Sequence, residues 1–147
     1  MFQKILIPTD GSEIARRAAE HAFALARLSG GKVYGVFIID TRTLPGAHPI
    51  LPESMAPYYF SILEELRKAG EATLQDLADD AKKQSVAFEH KVIEGTPAAG
   101  ILDTARDAQA DVIVMGTHGR TSLGALLIGS TAQAVVHGAK CPVLLIR

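Results

Sequence analysis

The sequence predicts an α/β fold, a single domain built on a doubly wound, five-stranded parallel sheet with helices on both faces. Five short apolar segments alternate with segments of helical periodicity, which is the pattern of repeated β-α-β units. The first of these segments is continuous rather than alternating, as expected for a strand covered on both faces, whereas the third segment, residues 86–93, alternates. The length of 147 residues and the 48% hydrophobic content suit one domain with a substantial core.

The first β-α-β unit occupies the first 39 residues. Residues 2–8 predict a strand because they contain the uninterrupted apolar run Ile5-Leu6-Ile7. An amphipathic helix follows, and Ser29-Gly30-Gly31 suits its C-terminal cap and turn. Residues 32–39 predict the second strand. The apolar face of the helix is formed by Ile14, Ala18, Ala22 and Leu25.

The middle of the chain contains a proline-rich stretch and a second β-α-β pattern. Prolines at four positions between residues 42 and 57 predict an excursion over the surface without regular structure. Residues 58–84 then show the spacing of a long helix, and residues 86–93 predict the third strand. A helix is expected over residues 96–109, with Pro97 in its first turn.

The C-terminal third completes the alternation. Residues 111–115 predict the fourth strand, residues 130–138 a helix, and residues 142–146 the last strand. Right-handed crossovers place such an alternation in a Rossmann-like sheet. No linker or internal repeat divides residues 1–147, so one domain is expected.

Composition excludes several classes of function. The 15 Lys and Arg residues nearly balance the 16 Asp and Glu residues, which argues against nucleic-acid binding. A single cysteine, Cys141, rules out an internal disulfide and a cysteine-based metal site, and it suits a cytoplasmic location. The uncharged run over residues 121–139 is interrupted by Ser, Thr, Gln and Gly, so we interpret it as loop plus helix rather than a membrane span.

Two loops are candidates for ligand binding. In doubly wound sheets, ligands bind outside the carboxyl ends of the strands where the strand order reverses, so the loops after the first and fourth strands matter most. The second is the glycine-rich stretch MGTHGRTSLGALLIGST, residues 115–131. Its glycines would let backbone N–H groups approach a phosphate, and the following helix would direct its positive end there. The alternative is a simple connector.

Neither of two well-known phosphate-binding motifs is present. The sequence has no G-x-x-x-x-G-K-[ST] motif, and no G-x-G-x-x-G motif follows the first strand. The hydroxyl groups of Ser130 and Thr131 are expected either to donate to phosphate or to cap the helix that begins there.

The pattern Gly116-x2-Gly119-x9-Gly129-Ser130 resembles the ATP-binding branch of the universal stress proteins. The resemblance covers the whole chain and includes the opening KILIPTDGSE, the strand ending VFIID, the Glu94-Gly95 pair and the closing CPVLLI. It implies that adenine and ribose are surrounded by Pro8, Thr9, Asp10 and Ile38, and that Met115 and Gly116 close the base pocket. It implies that the phosphates are held by Gly119, Gly129, Ser130 and Thr131. The proline-rich stretch departs from the family pattern.

The chemistry of several of these residues also suggests a role. Asp10 would accept hydrogen bonds from ribose hydroxyls, or would cap the first helix in a capping box completed by Glu13. Ile38 would supply an apolar wall for the base. His118 and Arg120 would contact phosphates as the titratable groups of the loop, or would face solvent.

The sequence shows no metal site formed by the protein itself. His21, His48, His90 and His137 show no metal-ligand spacing, and we interpret them as surface or structural residues. Cys141 is expected to be a small apolar residue entering the last strand. We expect Mg²⁺ or Mn²⁺ to be carried by the nucleotide phosphates rather than held by protein ligands.

Three functions are compatible with this reading. The first is an ATP-binding regulator of stress adaptation whose nucleotide occupancy alters its assembly or its partner contacts. The second is a slow ATPase or phosphotransferase, against which no general base or nucleophile emerges near the loop. The third is an adaptor for a membrane transporter or channel that presents the proline-rich stretch.

The last strand predicts a homodimer, with a tetramer as an alternative. An apolar strand at the end of the chain leaves an edge that invites pairing with another copy. The contact is expected to include Val143 and Leu145, or their alternates Leu144 and Ile146.

Overall fold

The computed structural model describes residues 1–44, 52–119 and 128–147, and it confirms the predicted five-stranded parallel sheet. The strand order is β3-β2-β1-β4-β5, and every pairing is parallel. The strands are β1 (Lys4–Thr9), β2 (Lys32–Asp40), β3 (Ala87–Gly95), β4 (Val112–Gly116) and β5 (Val143–Ile146). The first four strands each extend one or two residues beyond the predicted carboxyl end, because polar residues and glycines there continue the extended backbone.

In the described part of the chain, four α-helices connect the strands: α1 (Glu13–Ser29), α2 (Ala56–Lys83), α3 (Pro97–Asp107) and α4 (Ser130–Gly138). The first helix ends at Gly30, which has a left-handed φ of 67° and donates its N–H to Ala26 O, as the glycine pair predicted. None of the described helices is long and apolar enough to cross a membrane.

The proline-rich stretch is partly regular, so the prediction of an irregular excursion over residues 42–57 is wrong at both ends. Single 3₁₀ turns lie at Thr41–Thr43 and Glu53–Met55, and α2 already begins at Ala56. Pro57 is accommodated because it lies in the first helical turn, where backbone N–H groups have no intrahelical acceptor, so the N–H that proline lacks is not needed. Residues 45–51 of this prediction lie outside the described residues.

The core consists of two layers, one on each face of the sheet. On one face α1 and α2 cover β1, where Ile5 and Ile7 are at most 1% exposed. On the other face α3 and α4 cover the same strand through Leu6, which is fully buried. Burial of consecutive residues on both sides explains the unbroken apolar run that predicted this strand.

The strand order places a crevice at the carboxyl ends of β1 and β4. From β1 the chain moves outward through β2 to β3, and α3 then carries it back to β4 on the other side of β1. The connections that leave β1 and β4 therefore diverge at this point, which is where doubly wound folds bind ligands.

Candidate functional site

The turn after β1 is shaped by two consecutive side chains. Thr9 Oγ1 accepts a hydrogen bond from Gly11 N at 3.2 Å, and Asp10 Oδ1 accepts one from Ser12 N at 3.0 Å. Gly11 has a φ of +77°, which favours glycine and lets the chain reverse toward α1. One carboxylate oxygen of Asp10 is thus committed to the turn, which orients the other.

Ser12, not Asp10, caps α1, so the alternative of an Asp10 cap with a Glu13 capping box is wrong. Ser12 Oγ accepts a hydrogen bond from Ala15 N at 3.3 Å. Glu13 instead forms an ion pair with Arg16 at 2.7 Å. The reason is geometric: Gly11 and Ser12 separate Asp10 from the first helical residue, so the serine occupies the capping position.

The loop after β4 comes directly against Asp10. A Cβ atom added to Gly119 would lie 2.5 Å from Asp10 Oδ2, closer than real Cβ contacts come. The carboxylate can occupy this position because residue 119 has no side chain. The structure therefore brings together two predicted site residues that are 109 positions apart in the sequence.

Thr117 joins the two ends of the glycine-rich loop, and the sequence reasoning missed it. Its carbonyl oxygen accepts a hydrogen bond from Gly129 N at 2.7 Å, and its own N–H donates to Ile146 O at 2.8 Å. Thr117 is 5% exposed, and its Oγ1 lies 3.1 Å from Nδ1 of the half-buried His118. Since both of these backbone hydrogen bonds use main-chain groups, the residue type gave little signal of this role.

Helix α4 begins beside this junction. Gly129 is its N-cap residue and offers no side-chain oxygen, while Ser130 and Thr131 are its first two helical residues. The alternative that these hydroxyls cap the helix is therefore wrong. A Cβ atom on Gly129 would meet Thr117 O at 3.4 Å and His118 Cα at 3.5 Å, so the positive end of the helix lies next to the β4 loop.

The residues predicted to surround the base lie deeper in the molecule. Pro8 is buried at the end of β1, and Met115 is 6% exposed in the core beneath α3 and α4. A Cβ atom on Gly116 would meet Ile14 Cγ2 at 2.9 Å, so this glycine lets β4 approach the start of α1. Ile38 is half-buried near the end of β2 and packs beside Gly100 of α3.

Those of the other titratable candidates that the structure describes form no ligand cluster. Arg120 and His48 lie outside the described residues. His21, His90 and His137 are exposed, and the described part of the chain holds no group of three His, Cys, Asp or Glu side chains suited to a metal. Cys141 packs partly against the apolar layer beneath α3 and α4, where burial raises the pKa of its thiol.

The profile of the universal stress protein family matches residues 1–147. The chain belongs to this family. It is 35% identical to the universal stress protein MJ0531 of Methanocaldococcus jannaschii over 147 residues, covering all of this chain and 83% of that protein. The solved structure of MJ0577, a universal stress protein of the same organism, superposes with a TM-score of 0.87 at 27% identity, covering 99% of this chain and 96% of that chain.

Two solved relatives are complexes with adenine nucleotides. The universal stress protein of Archaeoglobus fulgidus in complex with dAMP is 25% identical, with a TM-score of 0.68 and full coverage of both chains. A universal stress protein in complex with cAMP, 24% identical with a TM-score of 0.69 over 99% of this chain and 97% of that chain, shares the fold. Homologues of this universal stress protein therefore bind nucleotides.

Proposed function

We propose that this universal stress protein binds ATP in the crevice between β1 and β4. The observation that carries the proposal is the meeting of Asp10 with Gly119, where a Cβ atom would lie 2.5 Å from the carboxylate. A carboxylate beside a glycine backbone, next to a helix N-terminus, offers an acceptor for ribose hydroxyls and donors for phosphate within one crevice.

Each part of a nucleotide has a matching part of the site. Asp10 Oδ2 would accept from the ribose, while Ile38 would supply an apolar wall for adenine. Gly119 and Gly129 have no side chain between their backbone N–H groups and a ligand, so these groups would be free to approach phosphate oxygens closely. Ser130, the exposed first residue of α4, would donate its hydroxyl. The remaining phosphate contacts are assigned to Thr131, His118 and Arg120.

Magnesium or manganese would enter with the phosphates. The described residues contain no cluster of carboxylates or imidazoles that would hold a metal by themselves. Mg²⁺ commonly keeps several waters and binds through substrate phosphates, which suits this arrangement. We therefore expect the ion to strengthen nucleotide binding without a protein cage.

We propose a regulatory rather than a catalytic role, with ATP occupancy in the cytoplasm altering assembly or partner contacts during stress adaptation. Asp10 Oδ1 is held by the β1–α1 turn and is therefore poorly placed to act as a mobile base. Release of inorganic phosphate from ATP, measured over hours at micromolar protein, tests this part. Steady multiple turnover would favour the slow ATPase instead.

The proposed assembly is a homodimer through β5, with a tetramer as the larger alternative. In the described sheet β5 is an edge strand that pairs only with β4. Leu144 is 44% exposed, whereas Val143 and Leu145 are half-buried and Ile146 is buried. Antiparallel pairing of two such edges would cover the exposed leucine and satisfy the outward backbone groups.

Calorimetric titration of ATP with Mg²⁺ into protein stripped of carried nucleotide tests the binding site. Gly129 has φ −63° and ψ 154°, which any residue adopts, so Gly129→Val is expected to fold. The branched side chain would project toward Thr117 and His118 and would displace the loop that is proposed to hold the phosphates. The variant is therefore expected to lose measurable binding. Ser130→Ala removes one hydroxyl donor to a charged group, worth about 1.5–3 kcal/mol, or about tenfold to a hundredfold in affinity.

Two results would contradict the proposal. Wild-type protein that shows no binding at millimolar ATP would refute nucleotide binding. Equal affinities of wild type and a Gly129→Val variant with an unchanged circular dichroism spectrum would place the nucleotide elsewhere.

A further inference from the structure

The second edge of the sheet is formed by β3, which carries an exposed and mixed-charge sequence. Among the described residues β3 pairs only with β2, and the side chains of Ala87, Glu89, His90 and Lys91 are exposed. Edge strands are commonly protected by charged side chains, especially lysine, which discourage pairing with other copies. This edge instead places a glutamate and a lysine symmetrically on either side of a histidine.

We propose that β3 pairs antiparallel with β3 of a second copy, about a twofold axis at His90. In that register Glu89 lies opposite Lys91 of the second copy, and Lys91 lies opposite its Glu89. The next pair outward, Phe88 with Val92, is apolar. Opposite charges and apolar residues placed directly across an antiparallel pair both favour association, so the sequence is complementary to itself at this register.

The position of α2 is compatible with this pairing. A Cβ atom on Gly70 of α2 would meet Phe37 of β2 at 2.7 Å. A Cβ atom on Gly35 of β2 would meet both Leu74 of α2, at 3.0 Å, and Phe88 of β3. The helix therefore lies over the boundary between β2 and β3.

Strand spacing then fixes the distance between the two copies of α2. With neighbouring strands about 4.8 Å apart, the β2–β3 boundaries of the two copies would be separated by two spacings, roughly 10 Å. Packed helices have axes about 8–10 Å apart, so the two α2 helices would meet at an ordinary packing distance. The continuous sheet would thus leave neither a gap nor an overlap between the helices.

The side of α2 that borders the β3 edge suits a second copy of itself. A groove between α2 and β3 is lined by Lys68, Glu71, Ala72, Gln75, His90, Lys91 and Val92. On the helix side the groove contains a cation and an anion one turn apart, Lys68 and Glu71, with the small Ala72 near the middle. Two such helices related by the same axis would approach at the alanine and place charges of both signs in the interface.

Cysteine cross-linking tests the register. In a Cys141→Ala background, His90→Cys places a thiol opposite its own copy, where directly opposed Cα atoms are about 4.5–5.5 Å apart and within disulfide range. The matched control is Ala87→Cys, equally an exposed position on β3, whose two copies would lie roughly 20 Å apart along the strands. We expect mild oxidation to give a covalent dimer with cysteine at 90 but not at 87. Equal yields at the two positions, or none at 90, would overturn the proposal.

A charge experiment on the His90→Cys protein tests the complementarity. Lys91→Glu alone opposes two glutamates at each contact, and Glu89→Lys alone opposes two lysines, so each is expected to lower the cross-linking rate several-fold. Mixing the two variants restores opposite charges at both contacts, and the mixed dimer is expected to dominate. Lys82→Glu, which changes the charge equally on the exposed end of α2, is the control and is expected to have no effect. A mixture that cross-links no faster than either variant alone would overturn the proposal.

Discussion

Substitution of Gly119 by alanine tests how closely the two loops of the site depend on each other. The added Cβ atom would lie 2.5 Å from Asp10 Oδ2, whereas real contacts of this kind are essentially never under 3.0 Å, so the carboxylate must move by at least half an ångström. Gly119 is exposed and does not have a left-handed φ, so the backbone accepts alanine and stability is expected to change by less than about 0.5 kcal/mol.

The displaced carboxylate is expected to weaken ATP binding. Loss of a hydrogen bond to a charged acceptor costs about 1.5–3 kcal/mol, so the dissociation constant is expected to rise about tenfold to a hundredfold in calorimetric titration. Gly30→Ala is the matched control because Gly30 has a φ of 67° at the far end of α1. Alanine there is expected to lower stability by about 1–2 kcal/mol and to leave ATP affinity unchanged. Unchanged affinity in a folded Gly119→Ala variant would refute the assignment of Asp10 to the ribose.

Three further predictions concern assembly, the core and pH. Leu144→Lys is expected to break pairing at the β5 edge and to lower the mass found in sedimentation velocity; an unchanged mass would exclude this edge. Leu74→Ala, at a position with no exposure, is expected to cost about 2–5 kcal/mol in urea denaturation, whereas Leu28→Ala, at 87% exposure, is expected to cost less than about 0.5 kcal/mol. The hydrogen bond from Arg42 lowers the pKa of the Asp40 carboxyl. The contribution of this interaction to stability is therefore complete above the ordinary pKa of an aspartate, and it is lost as the pH falls through the lowered pKa. The stability difference between wild type and Arg42→Ala is therefore expected to shrink in acid, and a difference that grows there would contradict this reasoning.

The fold was predictable because burial on both faces leaves a direct record in the sequence. Runs such as Ile5-Leu6-Ile7 occur where both layers of the core cover a strand, and the periodicity of α1 reflects a single buried face. The edge strand β3 left a weaker record, since its outer residues are exposed and polar. Its polarity permitted a strand prediction but not its place at the edge of the sheet.

The geometry of the candidate site was predictable at positions marked by a glycine or a carboxylate, and not at positions where main-chain groups make the contacts. Asp10 and Gly119 were both candidates from the sequence, and the structure places them in contact. The identity of the α1 cap was not decided by composition, because Asp10 and Ser12 are both good capping residues. The left-handed turn at Gly11 decided between them.

Thr117 gives the proposed link between nucleotide occupancy and assembly a physical route. Its carbonyl holds the start of α4 through Gly129, and its N–H holds the end of β5 through Ile146. The proposed phosphate-binding loop and the proposed dimer strand are therefore separated by one residue and two hydrogen bonds. A phosphate that draws Gly129 and the α4 N-terminus toward itself would act on the same residue that positions β5. Allosteric coupling between two sites requires a structural element on which both sites act. Thr117 is such an element, and it supports the proposal that nucleotide occupancy of the crevice controls pairing at the β5 edge.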